Sequence, residues 1–222
     1  MDFSALRLWQ LISPALPVGA YAYSQGLEYA IDAGWLKTED DVYQWISGQV
    51  THNLSHLDVP VLKRLYLAWS EDNTNRVEFW TRYLLVSREA RELKTEDRQL
   101  GMALATLLTN LGISEAEDYC RDREVTFASM LALAATRWEI KSETLAMAYL
   151  WMWCENQVAA AIKLVPLGQT SGQKLLQRVA EVIPSAAKKG MSLADDDIGM
   201  AAPGVGIASA LHEIQYSRLF RS

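Results

Sequence analysis

Apolar residues recur along this chain at intervals of three and four, the spacing of one helix face, and no run alternates apolar with polar residues long enough to predict a strand. The pattern thickens over residues 145–154, where Tyr149 is the one polar side chain. A helix apolar on every side lies at the centre of its protein, and these ten residues fall short of the roughly 20 that span a bilayer. The chain is organised around residues 151–173, which end that helix. Ser142 is placed to cap it, Glu155-Asn156-Gln157 interrupts its apolar surface, and Lys163 with the Pro166-Leu167-Gly168 turn closes it. Tyr149, Asn156 and Lys163 project onto one line with Ala159 and Ala160 between them, a shallow groove that another helix or loop can approach. Lys163 also meets the negative end of the helix dipole, and Asn156 and Gln157 need hydrogen-bond partners where buried.

The remaining elements follow in order. Leu6, Leu8, Trp9, Leu11 and Ile12 predict a short helix that stops before Pro14 and Pro17. A second is expected over residues 20–33, with Tyr21, Ser24 or Gln25, and Glu28 sharing a face. Gly26 inside it points to close approach of another backbone, and Gly34 ends it. Thr38 before Glu39, Asp40 and Asp41 reads as an N-cap for a helix burying Val42, Trp45, Ile46 and Val50. Pro60 suits the first turn of a helix to about Trp69, and Asn73 or Thr74 can cap one through Leu85. Further helices are expected from about Thr126 to Trp138, from Thr170 or Ser171 to near Pro184, and over residues 205–215. Residues 188–203 read as a mobile loop, and residues 216–222 as a flexible tail that orders on binding. The fold class is all-α: one domain over residues 1–222, a compact bundle of about ten short helices around a central apolar helix.

Charge changes this picture in one place. Eight of the twelve residues 88–99 are charged, and Leu100, Leu104, Leu107 and Leu111 continue beyond them at helical spacing. On a continuous helix Arg91, Lys94 and Arg98 share one side, while Glu89 and Glu96 fall in line with the leucines. Carboxylates on a core-facing line must be paired, solvated by a crevice or covered by a partner. Either the segment is a solvated, salt-bridged face whose register is reset by a cap at Thr95, or it is an interaction face.

Composition narrows the function classes. The 222 residues are 50% hydrophobic, enough for one large core, and no Gly/Ser/Pro-rich linker divides them. A net charge of −6 argues against a nucleic-acid or anionic-membrane surface and for protein or small-molecule partners. Cys120 and Cys154 lack metal-ligand spacing, Cys154 reads as a reduced buried thiol, and the first residues carry no export signal, so a cytoplasmic protein is expected. His52 and His56 at i, i+4 with Asp58 nearby could chelate a divalent metal, but without a third ligand at a recognised distance they read as surface or capping histidines. Asp195, Asp196 and Asp197 invite a Mg²⁺-diphosphate reading, yet they sit in a Gly-rich stretch that no second carboxylate motif answers. An all-α metal- or diphosphate-dependent enzyme using these residues is the competing reading. No phosphate loop, nucleophile elbow or zinc-finger spacing occurs.

Four blocks carry a resemblance. They are Leu16-Pro17-Val18-Gly19-Ala20-Tyr21 with Ser24-Gln25-Gly26-Leu27-Glu28, Arg88-Glu89-Ala90-Arg91-Glu92-Leu93 with Glu96-Asp97-Arg98-Gln99, Lys163-Leu164-Val165-Pro166-Leu167-Gly168-Gln169, and Gln215-Tyr216-Ser217-Arg218-Leu219-Phe220-Arg221-Ser222. Together, in this order, they resemble the UreF family of urease accessory proteins. The resemblance implies an all-α, dimeric protein without catalytic activity that binds no cofactor or metal directly, nickel and GTP acting through its partners. Those partners are UreD (UreH in some organisms), the GTPase UreG and apo-urease (UreABC), in a complex that couples GTP hydrolysis to nickel insertion. Carried over by position, Tyr21, Glu28, Glu89, Arg91, Glu92, Lys163, Gln169 and Arg218 belong to the UreG side, and Tyr216, Leu219, Phe220 and Arg221 to the UreD side. Arg218 is expected near Tyr21, with the tail ordered against UreD. Ala90 stands where Thr is expected in many relatives, and Leu211-His212 where Arg-His is common.

Overall fold

A computed structural model describes residues 3–121, 123–199 and 202–222, and among these it contains helices and no strand. In chain order they are α1 (Phe3–Ile12), α2 (Leu27–Asp32), α3 (Glu39–Gln49), α4 (Asp58–Ser70), α5 (Thr74–Val86), α6 (Arg91–Asn110), α7 (Phe127–Arg137), α8 (Ser142–Leu164), α9 (Gln169–Ala180), α10 (Ile183–Ser192) and α11 (Pro203–His212). Short 3₁₀ turns lie at Ala20–Ala22, Ser114–Tyr119 and Asp195–Asp197, and α3 runs on through a π-helical turn at Val50–Leu54. No helix among the described residues is long and apolar enough to cross a membrane.

Local chemistry explains the helix starts. Thr38 caps α3 in a reciprocal box with Asp41, whose carboxylate accepts from the backbone N–H of Lys37 and Thr38. These bonds hold the Asp41 carboxyl below its usual range. Asn73 caps α5 through the Arg76 N–H, and Thr126 and Ser129 form the same box at α7.

The long α8 is central, in contact with α1, α2, α3, α4, α7, α9 and α10. Leu145, Leu150, Cys154, Val158 and Ala161 on it are buried. It is not enclosed on every side, since Met147 is exposed and Trp151, Met152 and Trp153 are half-buried. Burial pushes the Cys154 thiol up to about 12, so it stays an unreactive part of the core. Asn156 finds the Tyr23 carbonyl at 3.3 Å, whereas the amide of the buried Gln157 has no partner among the described residues. Lys141, not Ser142, occupies the cap position.

Several expectations are corrected by packing. The helix expected over residues 20–33 is broken, because Gln25 and Gly26 take φ of 53° and 79°, so only residues from Leu27 are α-helical. Tyr21 and Glu28 therefore do not share a helix face. α6 starts at Arg91 rather than Arg88, and Thr95 bonds back to the Arg91 carbonyl, so no new cap resets the register there. Pro184 starts α10 instead of ending the helix before it. Residues 188–192, expected in a loop, finish α10, where Gly190 lies close to Val59 and the Ser55 carbonyl. Of that stretch, Met200 and Ala201 lie outside the described residues.

One close approach gives a test of the bundle. A Cβ on Gly101 would come within 2.7 Å of the Thr126 carbonyl carbon and 2.9 Å of its oxygen, and backbone atoms at a helix cap cannot rotate aside. Gly101→Ala should therefore destabilise the protein even though alanine favours a helix by about 1 kcal/mol, since overpacking costs roughly 1–3 kcal/mol. A thermal melt reads the sign, and a raised midpoint would contradict the packing described.

Candidate functional site

The break at Gly26 creates the site. A Cβ there would meet Ala208 Cβ and Ser209 N at 3.0 Å, so α11 can lie directly on the start of α2 only because the residue is glycine. One turn beyond Ser209, His212 then sits over Glu28. Its side chain is fully buried, with Nε2 3.1 Å from Glu28 Oε2 and Nδ1 2.8 Å from Glu92 Oε2 on α6.

The last residues of the chain close over this trio. The Leu219 and Phe220 N–H groups donate to the Glu28 carboxylate at 2.6 and 2.9 Å, and the Arg218 guanidinium donates to Glu92 Oε1 at 2.6 Å. Arg221 N–H donates to the Ala22 carbonyl, and the Ser222 carbonyl accepts from the N–H groups of Ser24 and Gln25 at 2.8 and 3.1 Å. The ring of Phe220 is buried, with Lys163 Nζ 5.4 Å from its centre. The tail expected to hang free is thus packed on its own chain over residues 218–222. What holds it is mostly backbone hydrogen bonding, which its side-chain pattern does not reveal.

Beneath the tail, Glu96 is buried and accepts from Gln25 Nε2 at 2.7 Å and Ser222 Oγ at 2.8 Å. Burial raises its carboxyl to about 7, against the two hydrogen bonds that favour the ionised form. Gln25 in turn accepts from Trp153 Nε1 on α8. Deeper still, Arg88 donates to Asp58 at 2.7 Å and to Asp97 at 2.7 Å, and Tyr149 donates to Asp58 at 2.8 Å. Burial alone would lower Arg88, but Asp58 and Asp97 more than reverse it and hold the guanidinium well above its ordinary range. Burial and the Asp58 charge push the Tyr149 phenol far up, so it stays a donor. A cavity of about 90 Å³ separates the two layers, bordered by Gln25, Arg88, Glu96, Asp97, Tyr149 and Trp153.

The structure brings together Glu28, Glu92, Lys163, Arg218, Leu219, Phe220 and Arg221 of the residues singled out from sequence. Arg91 borders the same cleft on α6. Tyr21 is 68% exposed and shares a separate groove with Gln169, so Arg218 pairs with Glu92 and not with Tyr21. Glu89 precedes α6 and lies against Gly206 of α11, outside the leucine line that Glu96 continues. Phe220 is too buried to serve as a partner contact while the tail is docked, whereas Tyr216 and Leu219 are exposed.

The metal readings do not assemble. Asp58 is turned inward to Arg88 and Tyr149, away from exposed His52, while His56 Nδ1 is 2.8 Å from Ser55 Oγ. Asp195 pairs with Arg64 at 2.7 Å. Among the described residues no three His, Cys, Asp or Glu side chains are grouped to hold a metal ion. His212 and the Asp58–Arg88–Asp97 set were missed from sequence. His212 is separated from Glu92 by 120 residues and from Glu28 by 184, and Arg88 from Asp58 by 30, although Arg88 and Asp97 are only nine apart.

Comparison with known proteins agrees across almost the whole length. The sequence profile of the UreF family matches residues 36–180. The chain is 54% identical to the urease accessory protein UreF of Alkalilimnicola ehrlichii over 216 residues, 97% of this chain and 95% of that protein. It is 47% identical to the protein of the same name from Teredinibacter turnerae over 222 residues, the full length of both. A third, from Hahella chejuensis, is 43% identical over 98% of this chain and 97% of its own.

Proposed function

The chain belongs to the UreF family of urease accessory proteins, and from that premise we propose that it is a non-enzymatic, cytoplasmic adaptor of urease maturation. In this reading it joins UreD (UreH), acts as a homodimer in the complex, and recruits the GTPase UreG to apo-urease. GTP hydrolysis is thereby coupled to nickel insertion, nickel being cargo and GTP the partner's substrate.

The observation that carries the reading is the rim of the tail dock. Arg218 and Glu92 form an ion pair at its edge with side chains 38% and 14% exposed, and Arg91 lies beside them. Leu219 borders the same cleft and is exposed, as is Tyr216 two residues before Arg218 in the chain. Apolar anchors bordered by a mixed charged rim suit a protein partner, the anchors supplying affinity and the charges orientation and on-rate. UreD takes the apolar flank in this proposal, and UreG the charged side with Lys163.

Co-purification of the full chain with UreD, UreG and apo-urease, with and without GTP and nickel, tests this. A Tyr216→Ala, Leu219→Ala double variant should lose UreD, and Arg218→Ala should keep UreD but lose UreG and nickel-dependent urease activation. The double variant should leave the melting temperature nearly unchanged, because both side chains are exposed, whereas Arg218→Ala should lower it modestly, since the largely buried Glu92 loses one cation and keeps His212. Wild-type assembly by both variants would remove the tail rim from the proposal.

A further inference from the structure

We propose that His212 is a protonation-controlled latch on the C-terminal segment: as the imidazolium it fixes residues 218–222 against α2 and α6, and loss of its proton releases them. This concerns the chain by itself and holds or fails independently of the partner assignments above.

The argument is geometric. Both ring nitrogens of the fully buried His212 face carboxylate oxygens, Glu28 Oε2 at 3.1 Å and Glu92 Oε2 at 2.8 Å. Ionised carboxylates only accept hydrogen bonds, so an imidazole bonded to both must donate from both nitrogens, and the form that does so is the cation. The charges then close: two carboxylates face one imidazolium and the Arg218 guanidinium. Glu213, next to His212, takes the Glu92 N–H on its carboxylate at 3.2 Å. Glu89 lies further back along α11 at Gly206, and Glu96, one turn beyond Glu92 on α6, reaches the tail through Ser222.

Removing the proton from His212 leaves a ring lone pair facing a carboxylate and one buried negative charge without a partner, which is costly. The longer of the two contacts is to Glu28. The same carboxylate accepts the Leu219 and Phe220 N–H groups, so a turn of Glu28 away from a neutral imidazole takes both tail bonds with it. The segment carrying Arg218 and Leu219 is therefore held in one conformation while His212 carries its proton and freed when that proton is lost.

The experiment is a titration of the ¹⁵N-labelled full chain from about pH 5 through the range over which histidine ordinarily changes charge and on to the highest pH at which the fold survives. Ring ¹⁵N shifts of His212 are followed together with hydrogen exchange at Leu219 and Phe220, corrected for the intrinsic rate. A Glu96→Gln background removes the second titration that touches the tail. Both ring nitrogens should be protonated at the acid end, and protection of the two amides should fall roughly tenfold or more in the same transition that deprotonates the ring. His212→Gln should show low protection throughout and no transition. A neutral ring across the whole range, a ring that keeps its proton for as long as the protein stays folded, amides that stay protected after the ring loses its proton, or a transition that persists in His212→Gln would each overturn the latch. Should His212→Gln fail to fold, the first three readings on the unaltered histidine decide the matter.

Discussion

Arg88→Ala should be the most damaging single substitution considered, costing about 3–5 kcal/mol, the range found when one member of a buried ion pair is removed. Arg88 comes from the turn between α5 and α6 and holds Asp58 at the start of α4 and Asp97 on α6. The side chains of Asp58 and Asp97 are only 1% and 7% exposed, so truncation leaves two carboxylates with neither solvent nor cation. Asp58 retains Tyr149, and Asp97 retains the Phe127 N–H at 2.8 Å, which softens the loss without neutralising either charge. Arg88→Lys keeps the charge but cannot reproduce the forked contacts to both aspartates, and should fall between wild type and alanine. Urea denaturation at neutral pH measures the series. An alanine variant within about 1 kcal/mol of wild type would mean the aspartates find water or protons in its place.

This network ties the functional layer to the bundle. Asp97 follows Glu96 on α6, so the carboxylate under the tail is positioned by a neighbour anchored to Arg88 and to the first N–H of α7. Tyr149 brings α8 into the same set. A change at Arg88 would therefore move the floor of the tail dock as well as weaken the core, and loss of partner binding in such a variant would say nothing about Arg88 as a contact.

Helix number, the central place of α8 and the caps at Thr38 and Asn73 were legible because they depend on period and on neighbours a few residues away, whereas the caps expected at Thr95, Ser142 and Thr170 or Ser171 are not formed. Glu96 was legible too, since a carboxylate on a leucine line announces that something must satisfy it. The break in residues 20–33 was not, because the positive φ at Gln25 and Gly26 is set by α11 and the returning tail, some 180 residues later in the chain. The tail itself was misread for a related reason. Its composition suggests a disordered segment, but much of its order comes from backbone groups of Leu219, Phe220 and Arg221 that any sequence would carry, added to the side-chain contacts of Arg218, Phe220 and Ser222. Family resemblance supplied Glu28, Glu92 and Arg218 as a set, and the structure adds His212 as the group that joins them.

Glu96 gives the second large effect, one whose sign can be worked out. Its carboxyl is raised from 4.5 to about 7, with burial as the main cause. Between those values the folded protein keeps a proton that the unfolded chain has released, so stability falls as pH rises through this interval. The contribution is complete below the lower value and gone above the upper one. A displacement of this size corresponds to about 3 kcal/mol. Glu96→Gln is close in shape and stays neutral: its carbonyl can accept from Gln25, and the Ser222 hydroxyl can rotate to accept from its amide. The variant should match wild type near pH 4.5 and exceed it in stability by up to about 3 kcal/mol above pH 7. Taking the difference between the two proteins at each pH cancels every other titrating group, so urea midpoints over this range isolate the one carboxyl. Parallel curves would show that Glu96 is already ionised at the bottom of the range, and that the cavity beside Arg88 solvates it as water would.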